Sequence, residues 1–213
     1  MHLEKYDFGD GQGAVLAHRH PNGGGWIAAT AKVDSTAFVD EDAQVFGFAE
    51  VKGVVQLRGQ ARVYGHAIVE ELAVVADSAQ IADSAHVFGS AQVFHRAACT
   101  EHAQVGGNAR VFENAHVAGE GTVVDNAWIS GHAQVMGRSK VSGTARLSEH
   151  CRVQGRARIS GYVHIFGQAV IQGEAYVSGN CQISGDACIQ DRAEVIGFVQ
   201  LATGLIQGDS HLG

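Results

Sequence analysis

The chain has 213 residues with 15 Lys and Arg against 22 Asp and Glu, a net charge of −7, and a pI near 5.9. That balance argues against a general nucleic-acid surface, for which a basic stripe is required. No apolar run reaches the length of a membrane span, and the length leaves room for one domain only.

Residues 1–30 come first. Met1-His2-Leu3-Glu4-Lys5 has neither the basic flank nor the apolar stretch of a signal peptide. Tyr6, Phe8 and Trp26 supply apolar mass, and Gly9, Gly11, Gly13 and Gly23 to Gly25 allow sharp turns. This segment is predicted to cap whatever follows. It lacks the GxxxxGK[ST] spacing of a phosphate loop, and the chain's one proline, Pro21, lies within it, outside the strands that an interior proline would break.

From Ala31 to Gly204 a six-residue unit, Ala-x-Val-x-Gly-x, repeats over 29 hexads. Position one is small, and position three is Val, Ile or Leu everywhere except Cys99. In Ala85-His86-Val87-Phe88-Gly89-Ser90 the alternation points Ala and Val inward and His and Phe outward, the period of a strand with one buried face. Position five is Gly in 17 hexads and Asp or Glu in nine; both types tolerate the positive φ of a corner. A short strand and a corner, repeated at fixed period, predict a parallel β-solenoid in which each unit buries its apolar face on its neighbours. Residues 205–213, with Leu205 and Ile206, are read as a C-terminal tail.

The hexad array resembles the hexapeptide-repeat proteins of the trimeric LpxA-like superfamily, which includes acyltransferases and γ-class carbonic anhydrases. The resemblance implies an all-β, single-domain, left-handed parallel β-helix with three hexads per coil, hence about ten coils, and a homotrimer. Gly23-Gly24-Gly25-Trp26-Ile27 leading into the array is similar to the entry of YdcK-type bacterial solenoid proteins, which carry a transferase label through their fold.

Twelve histidines raise the question of metal. At 18 residues per coil, His66 and His102 share a corner two coils apart, and His132 and His150 stack on adjacent coils. In the zinc pattern of γ-class carbonic anhydrases, as the family implies it, the third histidine falls here on Gly107, and the upstream arginine and aspartate fall on Gln44 and Phe46. These four histidines therefore remain weak candidates, and no metal or other cofactor is expected. Acyltransferases of the family interrupt the repeat with an active-site loop; this register is unbroken. Cys99, Cys151 and Cys181 occupy inward positions and only Cys188 an outward one, which fits buried free thiols in a reducing cytoplasm.

Sorting outward residues by side of the prism collects Phe94, Phe112, Trp128 and Phe166 on one side, the expected trimer interface, and Phe46, Tyr64 and Met136 on another. Lys140, Arg146, Arg152 and Arg158 wind around the prism as a face for an acidic partner. The main expectation is a non-catalytic structural or binding scaffold with a protein partner, without nucleic acid or membrane. The alternative is a fold-related enzyme, an acyl- or acetyltransferase or a γ-carbonic-anhydrase-like metalloenzyme, with its site between subunits.

Overall fold

The computed structural model describes residues 2–213. Among the described residues every element is a β-strand, most of them two residues long, and no helix is long and apolar enough to cross a membrane. The strands stack in parallel with a register of 18 residues: Gln44 pairs with Arg62, Arg62 with Gln80 and Gln80 with Ala98. Three hexads therefore close one coil, and the chain forms a parallel β-helix of three sides. Side one carries the strands at 44, 62 and 80, side two those at 32, 50 and 68, and side three those at 38, 56 and 74.

The inward assignment holds residue by residue. Val45, Val63, Ile81, Cys99, Val117, Val135 and Val153 stand one above another on side one with no exposure, as do the alanines two residues before most of them. Ser139 replaces Ala at an inward position, and its hydroxyl donates to the Met136 carbonyl at 2.8 Å, so the lumen holds no orphaned group there.

The corners are built on the left-handed region. Position-five glycines such as Gly47 and Gly143 have φ of 68° and 70°, and Asp77, Asp83, His95, Glu113, Asp125, Glu149 and Asp191 share that conformation. The acids do more than tolerate it. Asp125 accepts the N–H of Gly143 at 2.9 Å, Asp77 that of His95 at 2.9 Å and Glu149 that of Gly167 at 2.9 Å. Each carboxylate thus satisfies the corner amide of the next coil, a donor that the short strands leave unpaired.

The N-terminal segment does two separate jobs. Strands β1 (Glu4–Tyr6) and β2 (Val15–Arg19) form an antiparallel hairpin, and β2 pairs antiparallel with β3 (Trp26–Ala28), which extends side one by two strands. Residues 20–25 close the first coil: Gly25 donates to the Val39 carbonyl at 2.9 Å, Val39 to the Asn22 carbonyl at 3.0 Å, and the Asn22 side chain to the Ala37 carbonyl at 2.9 Å. This hides the unpaired edge that an open coil would present. β3 is already in register, with Trp26 opposite Gln44 and Ile27 opposite Val45, so the array starts a hexad earlier than the alanine pattern indicates.

At the far end the register shortens by one residue. Cys188 pairs with Leu205 and Glu194 with His211, a spacing of 17. Residues 205–213, set apart as a tail by sequence, hold two further strands, Leu205–Ile206 and His211–Leu212.

Candidate functional site

Side three carries the aromatic column. Phe94 and Phe112, both at position four, stack with ring centroids 5.0 Å apart and planes 3° from parallel. Trp128 meets Phe112 edge-on at 6.2 Å. Because Arg110, Trp128 and Arg146 occupy consecutive rungs, the indole lies between two guanidinium groups, at 5.0 and 4.9 Å. All three aromatic side chains are half-buried by their own column. Phe166 belongs to the same side but not to the cluster: Ser130 and Ser148 occupy the two intervening rungs, and Phe166 instead meets His164 at 4.8 Å.

The alternative aromatic face on side one is not free. Phe46 is 4 % exposed, because Phe8 of the N-terminal segment stacks on it at 4.8 Å and Tyr64 stacks on its other side at 4.9 Å. Position four faces outward as the alternation requires; the chain itself supplies the cover.

That cover creates a cleft of about 720 Å³, walled by Tyr6, Arg19, Trp26, Gln44, Arg62 and Gln80 among others. Arg19 lies over the Trp26 ring at 4.0 Å and donates to the Gly24 carbonyl at 2.8 Å. Arg62 donates to the Phe8 carbonyl at 2.6 Å, and Gln44 to the Tyr6 hydroxyl at 3.1 Å. Beneath these contacts the Gln44 Oε1 and Arg62 Nε atoms are buried without a partner. Guanidinium, amide and carboxylate groups here can hold a polar ligand, but no lining residue is a nucleophile set beside a base. Single-sequence reading missed the cleft because its walls come from four rungs of side one and a hairpin whose path the hexad pattern does not describe.

The candidate histidines are placed as the coil arithmetic requires, and none converge. The His66 ring stacks on Phe48 at 5.2 Å, and Ser84 stands between it and His102 on the corner. His132 and His150 stack face to face at 4.9 Å, 5° from parallel. Among the described residues no three His, Cys, Asp or Glu groups are arranged to hold a metal ion; tetrahedral zinc requires three or four ligands in close geometry.

The thiols are free. Burial pushes Cys99 and Cys151 up to about 12, and raises Cys181 and Cys188 above the ordinary thiol range as well. A thiol with a raised pKa holds little thiolate, the reactive form, at neutral pH. Ellman's reagent at pH 7.5 should therefore titrate at most one thiol per native chain, Cys188, and four after denaturation. Rapid reaction of more than one thiol in native protein would refute the inward placement.

On side one, Gln154, Gln172, Gln190 and Gln207 form a ladder of side-chain amides with N–O distances of 2.7, 2.9 and 3.2 Å. Spacing alone would have revealed it, since the first three stand 18 residues apart.

No family model matches the chain, and no curated protein matches it. Solved structures do. The UDP-N-acetylglucosamine acyltransferase of Francisella novicida is 16% identical over 82% of this chain and 66% of that one, with a TM-score of 0.44. The UDP-N-acetylglucosamine O-acyltransferase (LpxA) of Moraxella catarrhalis is 18% identical over 84% and 71%, with a TM-score of 0.45. LpxA of Acinetobacter baumannii is 14% identical over 82% and 71%, with a TM-score of 0.42. The architecture rests on this chain's own register: it is a hexapeptide-repeat parallel β-helix, and these three are among the solved structures it is similar to.

Proposed function

We propose that the protein is a non-catalytic scaffold, a homotrimer joined through side three and working in the cytoplasm of a bacterium, with the likeness to YdcK-type proteins as part of the same reading. The observation that carries it is the Phe94–Phe112–Trp128 cluster, three contiguous and partly exposed aromatic side chains on side three. An aromatic row of this kind is favoured against a partner and disfavoured against water. Arg110 and Arg146, stacked on Trp128, can carry the rim of such a contact. Four free thiols support a reducing compartment.

Covering what these rings still expose would contribute at about 25 cal/mol/Å², before association costs. Light scattering at micromolar concentration should give a trimer. Changing Phe112 and Trp128 together to Lys should give monomers with the strand spectrum kept, because neither side chain enters the lumen. A wild-type monomer, or a trimer indifferent to both changes, would refute the assignment of side three.

A further inference from the structure

The charge of this chain is segregated along the prism. Residues 133–162 contain Arg138, Lys140, Arg146, Arg152, Arg156 and Arg158 against one carboxylate, Glu149, a local charge of +5; the chain as a whole carries −7, so the rest carries −12. Four of these cations meet at one corner. Arg138 and Lys140 lie on one coil, either side of the inward Ser139, and Arg156 and Arg158 occupy the same places one coil on, with Lys140 directly opposite Arg158 in the parallel register. Strand geometry puts the rungs roughly 4.8 Å apart, with Arg138 and Arg156 in the turns that lead into the Lys140 and Arg158 strands.

Like charges on facing rungs destabilise a sheet, and among the described residues no carboxylate pairs with Lys140 or Arg158 to relieve theirs. Both side chains are exposed. Arg138 pairs with Glu120 at 3.1 Å and Arg156 with Glu174 at 3.1 Å. Those two carboxylates lie on the outer sides, one coil below Arg138 and one coil above Arg156. Lys140 and Arg158 are left without a counter-charge, and a small depression opens beside Arg158, lined by Arg156, Arg158 and Glu174.

The flanking acids decide the class of ligand. A long polyanion laid along the prism would meet Glu120 at one end and Glu174 at the other, and one wrapped around it would have to turn a corner to reach Arg146 or Arg152. A compact dianion meets Glu174 alone, which Arg156 already neutralises, and donors from two rungs can share its oxygens. Thr122 and Tyr176, the neutral rungs before Lys140 and after Arg158, place hydroxyl-bearing side chains at the two ends of that column. We propose that this corner is a binding site for a phosphomonoester dianion, and that its occupant is a small phosphorylated molecule. The site stands on sides one and two, independent of the trimer contact on side three.

The test uses the whole protein, low ionic strength, and three probes: inorganic phosphate, O-phosphoserine and a twelve-residue oligodeoxynucleotide. O-Phosphoserine should bind at a single saturable site by calorimetry and raise the melting temperature. In a Lys140→Gln, Arg158→Gln double variant its affinity should fall at least about tenfold, the size expected for losing charge-assisted bonds. Without ligand that variant should melt no lower than wild type, because a like-charge pair is relieved. Arg146→Gln, on another side, should leave O-phosphoserine binding unchanged. Inorganic phosphate binding as tightly as O-phosphoserine would identify the free ion as the occupant and overturn the choice of a phosphorylated molecule. Absence of saturation at ten millimolar, binding indifferent to the double variant, or an oligonucleotide binding more tightly than O-phosphoserine would each overturn the site.

Discussion

Val135→Asp abolishes soluble folded protein, while Gln134→Asp, one residue away, leaves the melting temperature within a few degrees of wild type. Val135 has no exposure and lies between Val117 and Val153 in the lumen. An aspartate there has no partner: ionised, its burial is prohibitive, and protonated it still leaves a carboxyl group without hydrogen bonds at a cost of several kcal/mol. It also leaves a gap where the valine methyls packed, which adds to the loss. Set against a typical total stability of about 5–15 kcal/mol, the combined effect removes most of the folded population. Gln134 faces outward and is only half-buried, so its replacement falls in the ordinary surface range of about 0.5 kcal/mol. Circular dichroism melts of the two variants check the result. Similar behaviour of both would place the strand in the opposite phase.

Gly143→Val costs about 3 kcal/mol or more, whereas Ser142→Val, its neighbour on the outward face, costs little. Gly143 has φ of 70°, where a branched residue loses roughly 1–2 kcal/mol. A Cβ there would also stand 2.7 Å from the Gly161 backbone nitrogen of the next coil. Backbone cannot yield as a flexible side chain can, so the two coils must separate locally, and the bond from the Thr144 N–H to the Gly161 carbonyl, 3.1 Å, is lost with them. Denaturant midpoints for the two variants decide the matter. A difference smaller than about 1 kcal/mol would mean that the corner relaxes and does not set the coil spacing.

How much of this was legible beforehand follows from the range over which each feature is written. The lumen was legible because alternation is local: Ala85, Val87 and their equivalents announce their direction within four residues. The corners were legible in conformation but not in bonding. Asp125 could be seen to tolerate positive φ, yet its acceptor role depends on Gly143, 18 residues on, and so on the number of hexads per coil. That number came from resemblance and is written in the register of the pairs. The hairpin over Phe46 was not legible at all, because β1 and β2 lie outside the period and their contacts, Phe8 on Phe46 and Arg62 on the Phe8 carbonyl, join residues with no fixed offset. The four candidate histidines were placed correctly by coil arithmetic, but arithmetic along one axis cannot say whether side chains converge. His132 and His150 lie parallel, and His66 is taken up by Phe48.

The 18-residue register also makes the molecule a ruler with a thread. Excising one whole coil, for instance residues 115–132, would shorten the rod by roughly 4.8 Å and return every later residue to its own side. Excising a single hexad would keep all lumen contacts in phase yet turn everything downstream by a third of a revolution. Phe94 and Phe112 would then stay on side three while Arg146, His164 and Phe166 moved to another. Length in this chain is therefore quantised in two steps of different meaning, one that changes only reach and one that reassigns which surfaces face together.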